Sequence, residues 1–283
     1  MEYEKRIVCF MDLLGFKKMV SDSIEKLNVR NRIFNLLNNI NEIHNNFHNC
    51  RNFTIVPEDE LKDGFTPKEV FDSGLQSEMS FFSDSFILSY KLSQQREDLM
   101  DVIIALHEIS FFVFQMLSMG FFVRGGLTYG NVYHNGNICF GPALVKSVSL
   151  EGTAIYPIIS IDPHFFDEDS SDSIYYGKTS IMKKNRDYLE DTYHCIDTTN
   201  ISPTYEKDIW VIRKDTQLIH YLDILDININ YDKQIALHIK SVIEKELKRN
   251  YPKHIAEKYI WMKKYYNFIV YNVQCMKDVQ IEI

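Results

Sequence analysis

The 283-residue chain contains no Cys-x-x-Cys pair, and its five cysteines, Cys9, Cys50, Cys139, Cys195 and Cys275, are odd in number and far apart. That usage suggests neither a disulfide framework nor a zinc site and points to a reduced, cytoplasmic compartment. Long apolar runs are missing too. The longest apolar stretch, Ile109 to Val123, carries no charge but falls short of the roughly 20 residues a membrane helix needs. The opening MEYEKRIVCF mixes charges around a single short apolar run, unlike the core of a signal peptide. Positive charge is scarce: 31 Lys and Arg stand against 39 Asp and Glu, a formal net charge of −8, which excludes a broad nucleic-acid surface. No GxSxG, HExxH or Walker sequence occurs, and there is no internal repeat or low-complexity tract. What the chain does have is apolar bulk. Apolar residues make up 45%, including 17 Tyr, 19 Phe and 2 Trp, enough for a large core and too much for a disordered chain.

The pattern along the chain predicts strands alternating with helices. Residues 5 to 11 end in Ile7-Val8-Cys9-Phe10-Met11, the signature of a central strand buried on both faces. Asp12 follows, and from Leu13 the pattern turns helical, breaks near Ser21 to Ser23, and resumes with Ile33, Leu36, Leu37, Ile40 and Phe47. Residues 48–77 read as a long loop or flexible insertion. Met79 to Tyr90 predicts a hairpin with Asp84 near its tip. Ser93, as a cap, opens a helix to Met119, which Gly120 stops. Phe121 to Tyr129 reads as a strand, and Val132 to Cys139 as a second hairpin arm after Gly130. Gly141-Pro142 opens a short helix through Glu151, and Tyr156 to Ile161 is a further strand. A late hairpin (Ile209 to Ile212, then Leu218 to Leu222) precedes two amphipathic helices, around Ile235 to Ile243 and Ile255 to Val273. The expected architecture is α/β (α+β), with a mixed, mostly antiparallel sheet covered by helices: a core over residues 1–165, then a C-terminal helical extension over 166–283.

Two acids carry the chemical signal. Asp12 directly follows an apolar strand, and Asp84 lies in an apolar hairpin. Carboxylates are costly beside a core unless paired or metal-bound. Were the two strands neighbours, both acids would converge at one edge of the sheet, and a divalent cation such as Mg²⁺ or Mn²⁺ would relieve their repulsion. Leu13-Leu14-Gly15-Phe16 would then place backbone N–H groups at a helix start, a seat for a phosphate chain, with Gly15 allowing close approach. Taken singly, Asp12 reads equally well as a helix N-cap and Asp84 as a turn residue.

With these residues in view, the sequence resembles class III nucleotidyl cyclases. The resemblance rests on FMDLLGF (10–16), FSDS (82–85), VRGGLTYG (123–130) and GPAL (141–144) followed shortly by Leu150-Glu151, in that order over roughly residues 5 to 161. Within that superfamily it is most similar to the bacterial pyrimidine cyclases of Pycsar antiphage systems. The resemblance implies that Asp12, Asp84 and the main-chain carbonyl of Leu13 hold two Mg²⁺ or Mn²⁺ ions, and that Leu14, Gly15, Phe16 and Ser80 contact substrate. It further implies conversion of UTP or CTP to a 3′,5′-cyclic nucleotide and pyrophosphate, a head-to-tail homodimer with sites at its interface, and a separate cyclic-nucleotide receptor-effector, without nucleic-acid or membrane partners.

Several positions depart from the family pattern. Where ATP-using members carry the purine-reading Lys and Asp, this chain has Ser80 and Ile138; where they carry the transition-state Asn and Arg, it has Val145 and Ser149. The first pair argues against an ordinary adenylate or guanylate cyclase. The second leaves Arg124 and Lys146 as the candidate catalytic cations and keeps open a catalytically silent module that binds a nucleotide or a partner. Arg124, beside Gly125 and Gly126, reads from its own setting first as a structural ion-pair residue.

Overall fold

The computed structural model describes residues 2–50, 76–91, 99–162, 193–196, 212–215, 220–222, 224–229, 232–272 and 274–282. Strand β1 (Glu4–Leu13) leads through helices α1 (Phe16–Ser23) and α2 (Leu27–Cys50) to the hairpin β2 (Gln76–Phe82) and β3 (Ser85–Lys91). Helix α3 (Leu99–Ser118), strands β4 (Val123–Asn135) and β5 (Ile138–Phe140), helix α4 (Pro142–Thr153) and strand β6 (Ile159–Ile161) follow. The described remainder comprises β7 (Tyr193–Ile196), β8 (Ile212–Asp215), β9 (His220–Leu222), α5 (Asp226–Ile229), α6 (Lys233–Leu247), α7 (Lys253–Asn272) and a 3₁₀ turn, Gln274–Val279. The sheet order is β2-β3-β1-β4-β6-β9-β8-β7, with β5 paired to β4. Pairing is antiparallel except at β4–β6 and β7–β8, so the fold is mixed α/β with a mostly antiparallel sheet, as the sequence predicts.

β1 is central because both its faces are apolar. Ile7, Cys9, Met11 and Leu13 enter the main core with Leu36 and Ile40 of α2 and Ile109, Val113 and Met116 of α3. On the opposite face Val8 packs with Val132 and Ala143. Each large apolar side chain so buried contributes roughly 1.5–3 kcal/mol. Helix α4 lies over this second face, and Gly126 lets it approach: a Cβ there would come within 2.2 Å of the Ser147 carbonyl oxygen and 2.6 Å of Leu150 Cβ.

Three boundaries differ from the sequence reading. β1 continues through Asp12 and Leu13 instead of turning helical there, because Leu13 N–H donates to the Asp84 carbonyl (3.0 Å) and Leu14 N–H to the Phe122 carbonyl (2.8 Å). The chain leaves the ladder only at Gly15, whose φ of 79° suits glycine. β4 likewise runs unbroken through Gly130, and the hairpin turn falls at Gly136, with φ of 56°. The strand expected over Tyr156 to Ile161 is confined to β6, and no local pattern predicts β7. Most of the 48–77 insertion, the Ser93 cap and the Ile209 arm lie outside the described residues.

The later segments join the same sheet and core. β9 pairs with β6 at Ser160 and Tyr221. Ile239, Ile243, Trp261, Tyr265 and Tyr266 belong to the same buried cluster as Ile7 and Met11. The Tyr265 hydroxyl accepts from the amides of Ile224 and Leu225 at 3.0 and 3.2 Å. Helix α6 starts at Asp232, whose carboxylate accepts from the amides of Gln234 and Ile235. Among the described residues, no helix is long and apolar enough to cross a membrane.

Candidate active site

Asp12 sits opposite Ser85 of β3 and Arg124 of β4 in the strand register. Side chains alternate along a strand, so it shares the α4-facing side of β1 with Val8 and Phe10. Asp84 occupies the β2–β3 turn beside Ser83, whose φ is 60°. The Leu13–Asp84 main-chain bond docks that turn on the end of β1 and brings the two acids together. Asp12 is therefore neither exposed nor a helix cap: the cap position of α1 is Gly15, which makes no side-chain cap bond.

The electrostatics at Asp12 favour its neutral form. Burial, then the neighbouring carboxylates of Asp84 and Glu151, push its pKa up to about 6, against the opposing pull of Arg124 and a bond from Ser85. The Ser85 hydroxyl donates to Asp12 Oδ1 at 3.4 Å, too long to hold the charge strongly. Arg124 is committed elsewhere. Its Nε donates to Glu151 Oε1 at 2.5 Å and its Nη1 to the Ala154 carbonyl at 3.1 Å. Lys146 is turned to another acid: its Nζ lies 3.7 Å from Asp162 Oδ1, while Asp162 Oδ2 accepts from Thr128 Oγ1 at 2.7 Å. The structure thus groups Asp12, Leu13, Asp84 and Arg124 and pairs Lys146 with Asp162.

The expected substrate contacts divide in the same way. Phe16 is buried in the core, Leu14 packs against it, and a Cβ at Gly15 would meet nothing within 4 Å. With the amides of Leu13 and Leu14 bonded to carbonyls, a phosphate could use only N–H groups from Gly15 onward. Ser80 pairs with Ile87 and lies on the same sheet face as Asp12, and its hydroxyl lies 3.2 Å from His134 Nε2. Val145 and Ser149 are exposed on α4, and Ile138 is exposed on β5.

Two further residues, His134 and Lys258, do not stand out in the sequence, and Glu151 does so only as part of a motif. Glu151 is the acid of the Leu150-Glu151 pair, and its role becomes legible only when α4 folds over Arg124. Lys258 lies within electrostatic reach of Arg124 and Glu151, and burial followed by Arg124 lowers its pKa. A Phe122–Tyr259 edge contact at 5.0 Å places α7 beside the start of β4.

No protein-family model and no curated protein matches the sequence. Among solved structures, the chain is similar to a bacterial light-regulated adenylyl cyclase at 13% identity and a TM-score of 0.35, over 56% of this chain and 43% of that one. It therefore spans less than half the length of that protein.

Proposed function

We propose that the chain is a divalent-metal-dependent nucleotidyl cyclase that converts UTP or CTP to the 3′,5′-cyclic nucleotide and pyrophosphate. The observation that carries this reading is the convergence of Asp12 and Asp84 at the end of the central strand β1 through the Leu13–Asp84 bond. It joins two of the four motifs on which the sequence resemblance rests. A half-buried carboxylate facing another, with its pKa raised to about 6, is an unfavourable arrangement for a site without a ligand and a useful one for a site that takes a cation.

The donor set fits Mg²⁺ or Mn²⁺. Among the described residues no three His, Cys, Asp or Glu side chains are placed to share an ion. Asp12, Asp84 and the Leu13 carbonyl would hold two ions, with triphosphate oxygens completing the shell. Such ions supply charge neutralisation at phosphate and lower the pKa of the ribose 3′-hydroxyl. The protein's own groups do the rest. The Ser85 hydroxyl orients Asp12, and Glu151 holds the Arg124 guanidinium beside the carboxylates. The Gly15 turn opens α1 next to them. The exposed apolar side chain of Phe82 (85% exposed), in the turn that carries Asp84, borders this site; it suits a head-to-tail second copy of the chain that would complete the pocket. In this reading the product is an antiphage signal for a separate receptor-effector.

Incubating the protein with each of the four NTPs and Mn²⁺ tests the reading, with products identified by mass spectrometry. A cyclic pyrimidine nucleotide absent from an Asp84→Ala control is expected; no cyclic product from any NTP would refute it. One observation favours the second reading, a silent binding module. Both candidate cations, Arg124 and Lys146, are engaged by acids, Glu151 and Asp162. That reading expects nucleotide binding without turnover.

A further inference from the structure

A cleft of about 440 Å³ opens where α6, α7 and the segment after the 3₁₀ turn meet. That segment is pinned in place as a third wall. Asn267 of α7 accepts from the Ile281 amide at 2.8 Å and donates to the Ile281 carbonyl at 3.0 Å, and Lys240 Nζ of α6 donates to the Gln280 carbonyl at 2.6 Å. Leu247, Ile260 and Ile281 give the cleft apolar walls. Small-molecule sites have volumes of roughly 300–1,000 Å³ and combine such walls with a few polar groups that orient the ligand.

The polar group here is Lys263. It lines the cleft yet is only 6% exposed, and among the described residues its ammonium has neither a hydrogen bond nor a carboxylate partner. Burial alone lowers its pKa, with no acid pulling the other way. A lysine normally escapes this cost by carrying its ammonium to water along its flexible stem. Lys248 and Lys264 do so at the rim of the same cleft, where both are exposed. The acids of the cleft also lie outward. Glu282 is exposed, and the half-buried Glu244 has its Oε1 3.9 Å from Lys240 Nζ on its own helix. The buried charge of the cleft is thus a cation among apolar side chains, an arrangement that costs stability on its own and that an incoming anion would offset.

We propose that this cleft binds a small amphipathic carboxylate, with its head group on Lys263 and its hydrocarbon part on Leu247, Ile260 and Ile281. The ammonium supplies the opposite charge and the hydrogen-bond donors, and the three apolar side chains supply the contact area. A neutral ligand of the same shape would leave the ammonium unpaired. A polyphosphate would leave the apolar walls uncovered and bring its remaining charge against Glu244 and Glu282. The inference is independent of the function proposed above, because the cleft shares no residue with the Asp12 and Asp84 site.

Octanoate and octan-1-ol, which share a chain and differ in the head group, test this by calorimetry on the whole protein at pH 7. Saturable binding of one octanoate per chain is expected, about tenfold or more tighter than that of octan-1-ol. Lys263→Met keeps the bulk of the side chain and removes its charge. It should weaken octanoate by about the same factor and leave octan-1-ol as it was. Carbon-13 NMR places the ligand: octanoate should shift the δ-methyl signals of Ile260 and Ile281 and raise the Lys263 pKa, followed at its Cε. Failure of octanoate to saturate, equal affinity for the alcohol, undiminished octanoate affinity in Lys263→Met, or a Lys263 pKa unmoved at saturation would each overturn the proposal. If Lys263→Met does not fold, Ile260→Glu, at a position 45% exposed, should weaken octanoate through like-charge repulsion, and the pKa shift in the wild type still decides.

Discussion

Leu13 N–H donates to the Asp84 carbonyl across 3.0 Å, tying the β2–β3 turn to the last residue of β1. Because Asp12 precedes one partner and Asp84 is the other, this main-chain bond sets two carboxylates side by side, and the pull of Arg124 and the long Ser85 bond offset their repulsion and burial only in part. In the proposed function, the metal-binding role of the two acids and the raised pKa of Asp12 have the same origin.

Asp12→Asn should therefore stabilise the metal-free protein while abolishing turnover. The folded pKa of about 6 lies above the ordinary carboxylate value. The stability linked to Asp12 is fully present below that ordinary value and is lost as pH rises through about 6. At pH 7.5 the variant should be more stable by on the order of 1–2 kcal/mol, with the difference vanishing near pH 4. Thermal unfolding across this range measures it. Added Mn²⁺ should raise the melting temperature of the wild type, chelation should reverse the rise, and Asp12→Asn should not show it.

Arg124 and Glu151 form a largely buried ion pair that also places the guanidinium beside Asp12. Removing one partner leaves the other desolvated. Glu151→Gln and Arg124→Ala should each cost about 2–4 kcal/mol in denaturant unfolding. The double variant Arg124→Met with Glu151→Leu should cost less than the sum of the two single changes.

Two glycines of β4 make a matched control. Gly126→Ala would drive a Cβ to 2.2 Å from the Ser147 carbonyl oxygen, whereas at Gly130 the nearest atom is Ala143 Cβ at 3.5 Å. The first should lose about 1–3 kcal/mol through overpacking and impair activity by shifting α4 and Glu151. The second should stay within about 0.5 kcal/mol of wild type.

The two buried imidazoles, His107 and His134, make the protein acid-labile. Burial lowers both pKa values to about 4. The stability they contribute is present above the unfolded value near 6.5 and is lost as pH falls toward 4, opposite in sign to Asp12. Among the described residues, the buried His107 Nε2 has no hydrogen-bond partner. His107→Leu should raise stability by about 1 kcal/mol at pH 7 and by more at pH 5, as read from thermal unfolding at both pH values.

What could be read in the sequence were the features that repeat locally. The apolar run before Asp12, the hairpin around Asp84, the Gly141-Pro142 helix start and the amphipathic stripes of α6 and α7 each declare themselves within a few residues. The partners that decide the site do not. Glu151 meets Arg124 only because Gly126 admits α4, and His134 reaches Ser80 only because β4 continues past Gly130 and turns at Gly136. Gly130 misled because a glycine in an ordinary extended strand looks the same in sequence as one that turns. The continuation of β1 through Leu13 depends on Asp84 and Phe122 carbonyls distant in the chain, which no local pattern reports.

The most direct measurement of the central claim is phosphorus-31 NMR of UTP and CTP incubated with the protein and Mn²⁺, quenched with excess chelator before recording, with Asp84→Ala alongside. The account predicts equal growth of a cyclic phosphodiester and of pyrophosphate from at least one of the two nucleotides, lost in the variant. Intact triphosphate, release of inorganic phosphate alone, or the same products from Asp84→Ala would contradict it.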